Sequence, residues 1–216
     1  APERTREELA MIIYTSGSTG QPKGVMHSFD AISRAGEGIV RDLKFSPDDR
    51  VLSYLPLAHV FERAYISTTT LIAATHVFFA ESLDTFVDDL NRARPTLFIS
   101  VPRLWLKFQL GVFKKLPEKK LNFLLKLPII SGLIKKKVLG GLGLDCVRLA
   151  GSGSAPIPAD LIAWYRKLGL NLLEGYAMSE DYAYSHLSTE DYNEPGYVGV
   201  PYGEVDVRIS DAGEIL

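Results

Sequence analysis

The stretch Tyr14–Gly24, "YTSGSTGQPKG", decides the fold because it places a loop rich in hydroxyls and glycines directly after the apolar run Met11–Tyr14, "MIIY". A short run of β-branched and aromatic residues bounded by Ser and Gly predicts a buried strand. Ligands of open α/β sheets bind at loops that follow the carboxyl ends of such strands. This loop is therefore the first candidate ligand site of the chain.

Similar apolar runs bounded by Gly, Pro, Asp or Ser recur along the chain and predict further strands: Val51–Pro56, His76–Ala80, Thr96–Val101, Cys146–Gly151 and Leu170–Tyr176. Helix-length segments lie between them. One is predicted to begin with Ser82 as its N-cap, and another runs from Pro158 to a stop at Gly169. The alternation predicts an α/β fold with a mainly parallel sheet covered by helices.

The composition is that of an ordinary globular protein, with 46% hydrophobic and 23% charged residues among 216. A net charge of −2 argues against a nucleic-acid binder. The single cysteine, Cys146, excludes an intramolecular disulfide, and its apolar neighbours favour a buried structural thiol over a nucleophile. The single cysteine also fits a reducing compartment, so the expected location is cytoplasmic, with membrane association as an alternative. No signal peptide or membrane-span-length apolar run is visible. The ending "DAGEIL" looks like a cut through an element and predicts a fragment.

The loop after the first strand has the chemistry of a phosphate cradle. It offers hydroxyls, glycines that allow close backbone approach and one ammonium group, from Thr15, Ser16, Gly17, Ser18, Thr19, Gly20 and Lys23. The Walker A pattern is not met. A flexible Ser/Gly surface loop is the alternative interpretation.

The loop resembles the phosphate-loop signature of adenylate-forming enzymes: acyl-CoA synthetases, luciferases and adenylation domains. Further motifs follow in the family's order: Leu55–Arg63 ("LPLAHVFER"), Val101–Trp105, Ala150–Pro158, Glu174–Glu180 and Gly196–Ile209. Leu55–Arg63 is similar to the long-chain fatty acyl-CoA synthetase version of the acyl-site motif. The resemblance covers essentially the whole chain, 1–216, and implies an internal fragment of the large N-terminal domain of a long-chain-fatty-acid–CoA ligase.

The resemblance implies a two-step reaction in which a fatty acid and ATP give acyl-adenylate and pyrophosphate, and coenzyme A then takes the acyl group. It implies Mg²⁺ held by Thr15 and Glu180, with Glu180 and His59 as the catalytic candidates, His59 lying near the acyl carboxylate. The remaining implied residues hold ATP. The phosphates would contact Ser16, Gly17, Ser18, Thr19, Gly20, Lys23 and Ser179, and the adenine would contact Gly153, Ser154, Ala155, Gly175 and Tyr176.

Each of these assignments has a plainer alternative when it is taken alone. Tyr176 fits a core aromatic, Glu180 a solvated acid, and His59 a core histidine bonded to backbone. The stretch 176–180 also departs from the family's Tyr-Gly-x-Thr-Glu pattern, and Ser179 keeps the hydroxyl of the usual threonine. Ala177 stands where the family has glycine, and a left-handed backbone there would cost about 1–2 kcal/mol. Asp181 adds a second acid beside Glu180, which could modify metal binding.

A basic, apolar insert is predicted at about 112–142. Between Lys114 and Lys137 there are eight lysines and one acid, a local balance of +7. Pro117, Pro128 and Gly132 are expected to break any long helix. The stretch fits two interpretations: peripheral contact of 114–137 with an anionic membrane, or a lysine-fringed helical cap over the acyl tunnel.

Three rival functions remain open from the sequence: a non-catalytic nucleotide-binding homologue, an adenylating enzyme for an amino acid or aryl acid, and a membrane-docking scaffold. The family's preceding N-terminal portion is predicted to be missing, as is its C-terminal domain with the adenylation lysine. The isolated fragment is therefore expected not to turn over.

Overall fold

Six strands form where the sequence predicts them. A computed structural model describes residues 3–16, 20–189 and 191–216. The six strands are β1 (Leu9–Thr15), β3 (Arg50–Ser53), β4 (His76–Phe79), β5 (Leu97–Ser100), β6 (Leu149–Ser152) and β7 (Leu172–Tyr176). Helices alternate with them, so the predicted α/β fold class is confirmed.

The parallel strands form the centre of the fold. β3 pairs with β4, and β5, β6 and β7 pair in sequence order, all in parallel. The Thr96 amide donates to the Arg50 carbonyl at 2.9 Å, which places the start of β5 beside the start of β3. Parallel neighbours bring their carboxyl ends to one edge, and that edge is where the predicted ligand loops after β6 and β7 emerge.

Three strands were not predicted. β2 (Lys23–Ser28) pairs antiparallel with β1, so the candidate phosphate loop is the connection of a β-hairpin. β8 (His186–Leu187) and β9 (Val200–Pro201) extend the sheet beyond β7 with antiparallel pairing. Among the described residues, antiparallel pairing therefore occurs in the separate two-stranded β1–β2 sheet and at the β7–β8–β9 end of the five-stranded sheet.

Seven α-helices and one π-helix cover the described strands. The π-helix spans Glu62–Thr68. The α-helices are α1 (Phe29–Asp42), α2 (Thr69–Ala73), α3 (Phe86–Ala93), α4 (Pro102–Lys115), α5 (Glu118–Leu125), α6 (Pro128–Gly141) and α7 (Ala159–Lys167). Helix α7 begins after Pro158 and ends before Gly169, as predicted.

The prediction of Ser82 as a helix N-cap is wrong. Helix α3 begins at Phe86, and Thr85 occupies the cap position. Ser82 and Thr85 instead close a turn on each other, because each backbone N–H donates to the other's side-chain oxygen at 3.1 Å. Both residue types satisfy backbone donors locally, so the turn competes with the helix for the same groups.

Two buried clusters hold the layers together. The first centres on Trp105, which is fully buried and whose indole N–H donates to the Gly151 carbonyl at 3.1 Å. The second packs α1 and the π-helix against β1, β3 and β5, with Ile39 and Ala64 at its centre. Cys146 precedes β6 and is half-buried, which is more exposed than the sequence predicted.

The insert forms helices whose breaks are only partly those predicted. Pro117 and Pro128 separate α4, α5 and α6 as expected, but Gly132 lies inside α6, so its assignment as a helix breaker is wrong. A mid-helix glycine costs only about 1 kcal/mol relative to alanine, which the flanking residues can offset, whereas proline costs about 3.

Replacing Gly132 with alanine is expected to stabilise the chain by about 0.5–1 kcal/mol, because alanine loses less backbone entropy in a helix. A Cβ at Gly132 meets no atom within 4 Å. The measurement is the free energy of unfolding in urea. Gly143→Ala is the control, because φ is +71° there and the new Cβ would lie 2.5 Å from the Leu90 carbonyl carbon. Stabilisation by Gly143→Ala, or none by Gly132→Ala, would contradict this account.

Candidate functional site

The candidate phosphate loop is held at both ends by the β1–β2 hairpin. Thr15, the last residue of β1, pairs across the ladder with Lys23, the first residue of β2. Lys23 is exposed, and Gly20 has φ +78°, which favours glycine. The predicted phosphate contacts Gly17, Ser18 and Thr19 lie outside the described residues. The described residues thus place the loop's lysine and first threonine side by side.

The segments predicted to hold adenine come from the ends of β6 and β7. Ser152 and Glu174 are paired across these strands, so Gly153–Ala155 emerges next to Gly175 and Tyr176. A Cβ on Gly153 would lie 3.7 Å from the Gly175 carbonyl oxygen, which shows how close the two backbones are. Tyr176 is half-buried, with its ring edge-on to His186 at 6.1 Å between centroids.

A contact that the sequence did not predict joins the hairpin to the segment after β7. The buried His27 of β2 donates from Nε2 to the Ser179 carbonyl at 2.9 Å. The acceptor is a carbonyl, so Nε2 must carry the proton. Thr15, Lys23, Ser179 and the exposed Glu180 therefore belong to two segments fixed against each other.

Asp181 is engaged by its own turn. Its carboxylate accepts from the Met178 N–H at 3.0 and 3.2 Å. Burial raises the pKa of Asp181, and backbone hydrogen bonds from Met178, Ala183 and Tyr184 oppose that rise. These contacts give Asp181 a role in shaping the 178–184 turn.

The candidate metal ligands do not form a carboxylate cage. Within the described ranges, no three His, Cys, Asp or Glu side chains converge as a metal site. Mg²⁺ commonly takes only one or two carboxylates and completes its shell with substrate phosphates and water. Thr15 and Glu180 supply one hydroxyl and one carboxylate, a donor set that fits Mg²⁺ carried by ATP.

Ala177 does not adopt the strained conformation that the sequence analysis considered. Its backbone lies outside the left-handed region, and its methyl group packs against the second buried cluster. Alanine is compatible with this position, and the expected cost of 1–2 kcal/mol from a left-handed backbone does not arise.

Ala177→Gly is therefore expected to leave MgATP affinity within about twofold of the wild type and to lower the free energy of unfolding by about 0.5–1 kcal/mol. Calorimetric titration and urea unfolding measure the two quantities. Much tighter MgATP binding by the glycine variant would show that alanine obstructs the site.

His59 lies on the segment between β3 and the π-helix. Its Nδ1 accepts from the Phe61 N–H at 3.2 Å, and burial lowers the pKa of its ring. Both features favour the neutral imidazole with its proton on Nε2. His59 can therefore offer a neutral donor without adding charge to the site.

Glu62 holds this segment in place and was missed by the sequence analysis. It is fully buried at the start of the π-helix and accepts from the Ser53 hydroxyl and from the Leu55 N–H at 3.3 Å. Burial raises the pKa of Glu62. An acid inside the apolar motif Leu55–Arg63 was the available signal, because buried acids need partners.

A narrow apolar cavity lies behind the π-helix. Its volume is about 10 Å³, about enough for one water molecule. The lining comes from β3, β5, the π-helix and the residues before them, and it comprises Phe45, Val51, Leu52, Phe61, Tyr65, Ile66, Leu97, Phe98 and Ile99. An acyl chain would need this lining to move apart.

The β1–β2 hairpin, the adjoining ends of β6 and β7 and the partly buried segment Leu55–Arg63 are all parts of one α/β fold. The family model described as AMP-binding enzyme matches residues 1–216. Long chain acyl-CoA synthetase 3 of Arabidopsis thaliana is 33% identical over 99% of this chain and 36% of its own length.

Solved structures agree with this assignment. Apo MatB from Rhodopseudomonas palustris superposes with a TM-score of 0.73 at 29% identity, over 100% of this chain and 38% of that one. The ATP-bound form of MatB gives a TM-score of 0.69 at 29% identity, over 99% and 38%. The chain belongs to the AMP-binding enzyme family, and it spans about a third of the length of the curated relatives it matches.

Proposed function

We propose that the protein containing this chain is a long-chain fatty acid–CoA ligase that uses ATP, Mg²⁺ and coenzyme A. The observation that carries the proposal is the His27–Ser179 contact, because it unites the hairpin loop with the segment bearing Ser179 and Glu180. Family membership and the acyl-CoA synthetase relatives support the reaction type. The ATP-bound structure of MatB supports ATP as the nucleotide.

In the first step, a carboxylate oxygen bonds to the α-phosphorus of ATP while the bond to pyrophosphate breaks. Lys23 offsets the negative charge on the phosphates. Mg²⁺, held by Thr15 and Glu180 when bound, supplies further charge neutralisation. The neutral His59 orients the attacking carboxylate through its Nε2 proton. In the second step, the thiol sulfur of coenzyme A bonds to the acyl carbon while the bond from that carbon to the AMP oxygen breaks, and the thiol proton is released to solvent.

A calorimetric titration of this chain with MgATP tests the nucleotide part. Saturable binding, absent with Mg²⁺ alone, is the expected result. A folded chain that binds no MgATP would contradict the assignment of the hairpin loop as a phosphate cradle.

Peripheral membrane contact through 114–137 is the second part of the proposal. None of the helices in the described ranges has the length and apolar character needed to cross a bilayer. Helix α6 nevertheless presents an outer face with Ile129 88% and Leu133 68% exposed, flanked by exposed Lys136 and Lys137. Its opposite face, with Ile134 and Val138, packs on the first buried cluster. An exposed apolar stripe fringed by lysines suits an anionic lipid surface.

The chain is expected to sediment together with anionic phosphatidylserine vesicles at low salt, because each lysine near the surface contributes about 1 kcal/mol to binding. A much smaller fraction of the double variant Ile129→Asp/Leu133→Asp should sediment with the vesicles. Leu83→Asp is the matched control, because Leu83 is 82% exposed but lies before α3. Equal sedimentation of both variants, or none of the wild type, would remove the membrane part of the proposal.

A further inference from the structure

A chain of side-chain contacts runs from the buried His27 of the hairpin through the buried Tyr182 to the half-buried Thr68 of the π-helix. The His27 ring lies edge-on to the Tyr182 ring, with centroids 5.0 Å apart, and His27 also donates to the Ser179 carbonyl. The Tyr182 hydroxyl lies 2.9 Å from Thr68 Oγ1, at the last turn of the π-helix. We call these three residues the His27–Tyr182–Thr68 bridge.

The bridge touches all three motif segments of the candidate site. His27 belongs to the strand that follows the phosphate loop, and Tyr182 belongs to the turn that follows Ser179 and Glu180. Thr68 closes the helix that begins at Glu62, the residue that fixes the His59 segment. A shift of any one segment must therefore be absorbed by the other two.

Tyr182 is held in a conformation that tyrosine rarely adopts. Its φ is +54°, and that of the following Ala183 is +59°. Both residues are buried, and the turn is closed by the Ala183 N–H donating to the Met178 carbonyl at 3.0 Å. Left-handed backbone at bulky residues persists only where the surroundings enforce it, and such sites cluster at ligand clamps and switches. The left-handed backbone of Tyr182 places its side chain between His27 and Thr68.

We propose that the His27–Tyr182–Thr68 bridge couples nucleotide binding to the position of the acyl-site π-helix. This inference rests on the proposed function, because it assigns the acid to the π-helix side and ATP to the hairpin side. His27 and Tyr182 are positioning residues: His27 fixes the Ser179 segment, and Tyr182 transmits its position to Thr68. Occupation of the nucleotide site then changes the affinity for the acid, and reciprocity requires the reverse as well.

The coupling is measurable as a ratio of two dissociation constants. The dissociation constant of MgATP is measured for the 216-residue chain alone and again in the presence of a saturating long-chain fatty alcohol, which is an unreactive stand-in for the acid. The wild type is expected to show a fivefold or larger difference between the two constants, the usual lower range of coupling between sites. Tyr182→Phe keeps the ring but removes the hydroxyl that meets Thr68, so its ratio should approach one while MgATP affinity alone stays unchanged.

Three further variants separate positioning from a loss of folding. Thr68→Val removes the other half of the contact and should reproduce the ratio of Tyr182→Phe. His27→Leu should weaken MgATP binding itself, and His27→Gln, which keeps a donor for the Ser179 carbonyl, should restore it. A wild-type ratio of one, or an unchanged ratio in both Tyr182→Phe and Thr68→Val, overturns the bridge proposal. Failure of the wild type to bind MgATP at all overturns the proposed function as well.

Discussion

Replacing Asp49 with alanine is expected to lower the free energy of unfolding by about 3 kcal/mol. The buried carboxylate accepts two bonds from Arg148, at 2.9 and 2.7 Å, and one from the Thr96 hydroxyl at 2.7 Å. These partners precede β6 and β5, so Asp49 ties together the starts of three strands. Losing one partner of a buried ion pair typically costs about 3–5 kcal/mol, and the lower end applies because the Arg148 side chain is 41% exposed.

Urea unfolding measures the effect, with Glu204→Ala as the control. Glu204 pairs with Arg41 at 2.6 Å, but both side chains are about half exposed, 51% and 50%, so its loss should cost less than about 1 kcal/mol. Equal costs for the two variants would contradict the role given to Asp49.

The same carboxylate predicts an acid dependence of stability. Hydrogen bonds from Arg148 and Thr96 outweigh burial and lower the pKa of Asp49 from 3.8 to about 2. A lowered folded-state pKa stabilises the fold above pH 3.8, and this contribution is lost as the pH falls towards 2. Asp49→Asn should therefore flatten the decline of unfolding free energy between pH 4 and pH 2, and an unchanged decline would show that other groups cause it.

Lys23→Ala is expected to weaken MgATP binding about 10- to 100-fold. A hydrogen bond to a charged group contributes about 1.5–3 kcal/mol, and each 1.4 kcal/mol is a factor of ten. Lys23 is exposed at the mouth of the hairpin, so the substitution should leave the free energy of unfolding almost unchanged. The loss is then one of binding and not of folding.

Calorimetry of Lys23→Ala is compared with two controls. Lys23→Arg keeps the positive charge and should retain most of the affinity. Lys107→Ala removes an exposed lysine from α4, away from the hairpin, and should bind like the wild type. If Lys23→Ala and Lys107→Ala bind equally well, the ammonium group does not contact the phosphates.

The central strands could be predicted because each is a continuous apolar run with Gly, Pro, Asp or Ser at its ends. β2 was missed because its sequence, "KGVMHS", overlaps the loop motif and buries only His27. β8 and β9 have two residues each, too few to show a period. The sequence alone does not separate Ser82 from Thr85 as the cap of α3, because both are good cap residues and only the three-dimensional turn decides between them.

The candidate site was predictable as separate motifs but not as an arrangement. His27 and Ser179 are 152 residues apart, and nothing local to His27 indicates its partner. The role of Glu62 was unpredictable for the same reason, because its partner Ser53 lies at the end of a strand whose position depends on the whole sheet. Tyr182 carries no sequence signal for its backbone conformation, since left-handed tyrosine is disfavoured everywhere.

The most direct test of the central claim is acid-dependent release of pyrophosphate from ATP by the protein expressed from its full reading frame. The acids compared are palmitate, acetate, benzoate and an amino acid. The account predicts release with palmitate that exceeds the others, and loss of most of that activity in Lys23→Ala. Release with benzoate or the amino acid alone would contradict the fatty-acid assignment, and MgATP binding without release for any acid would favour a non-catalytic nucleotide-binding protein.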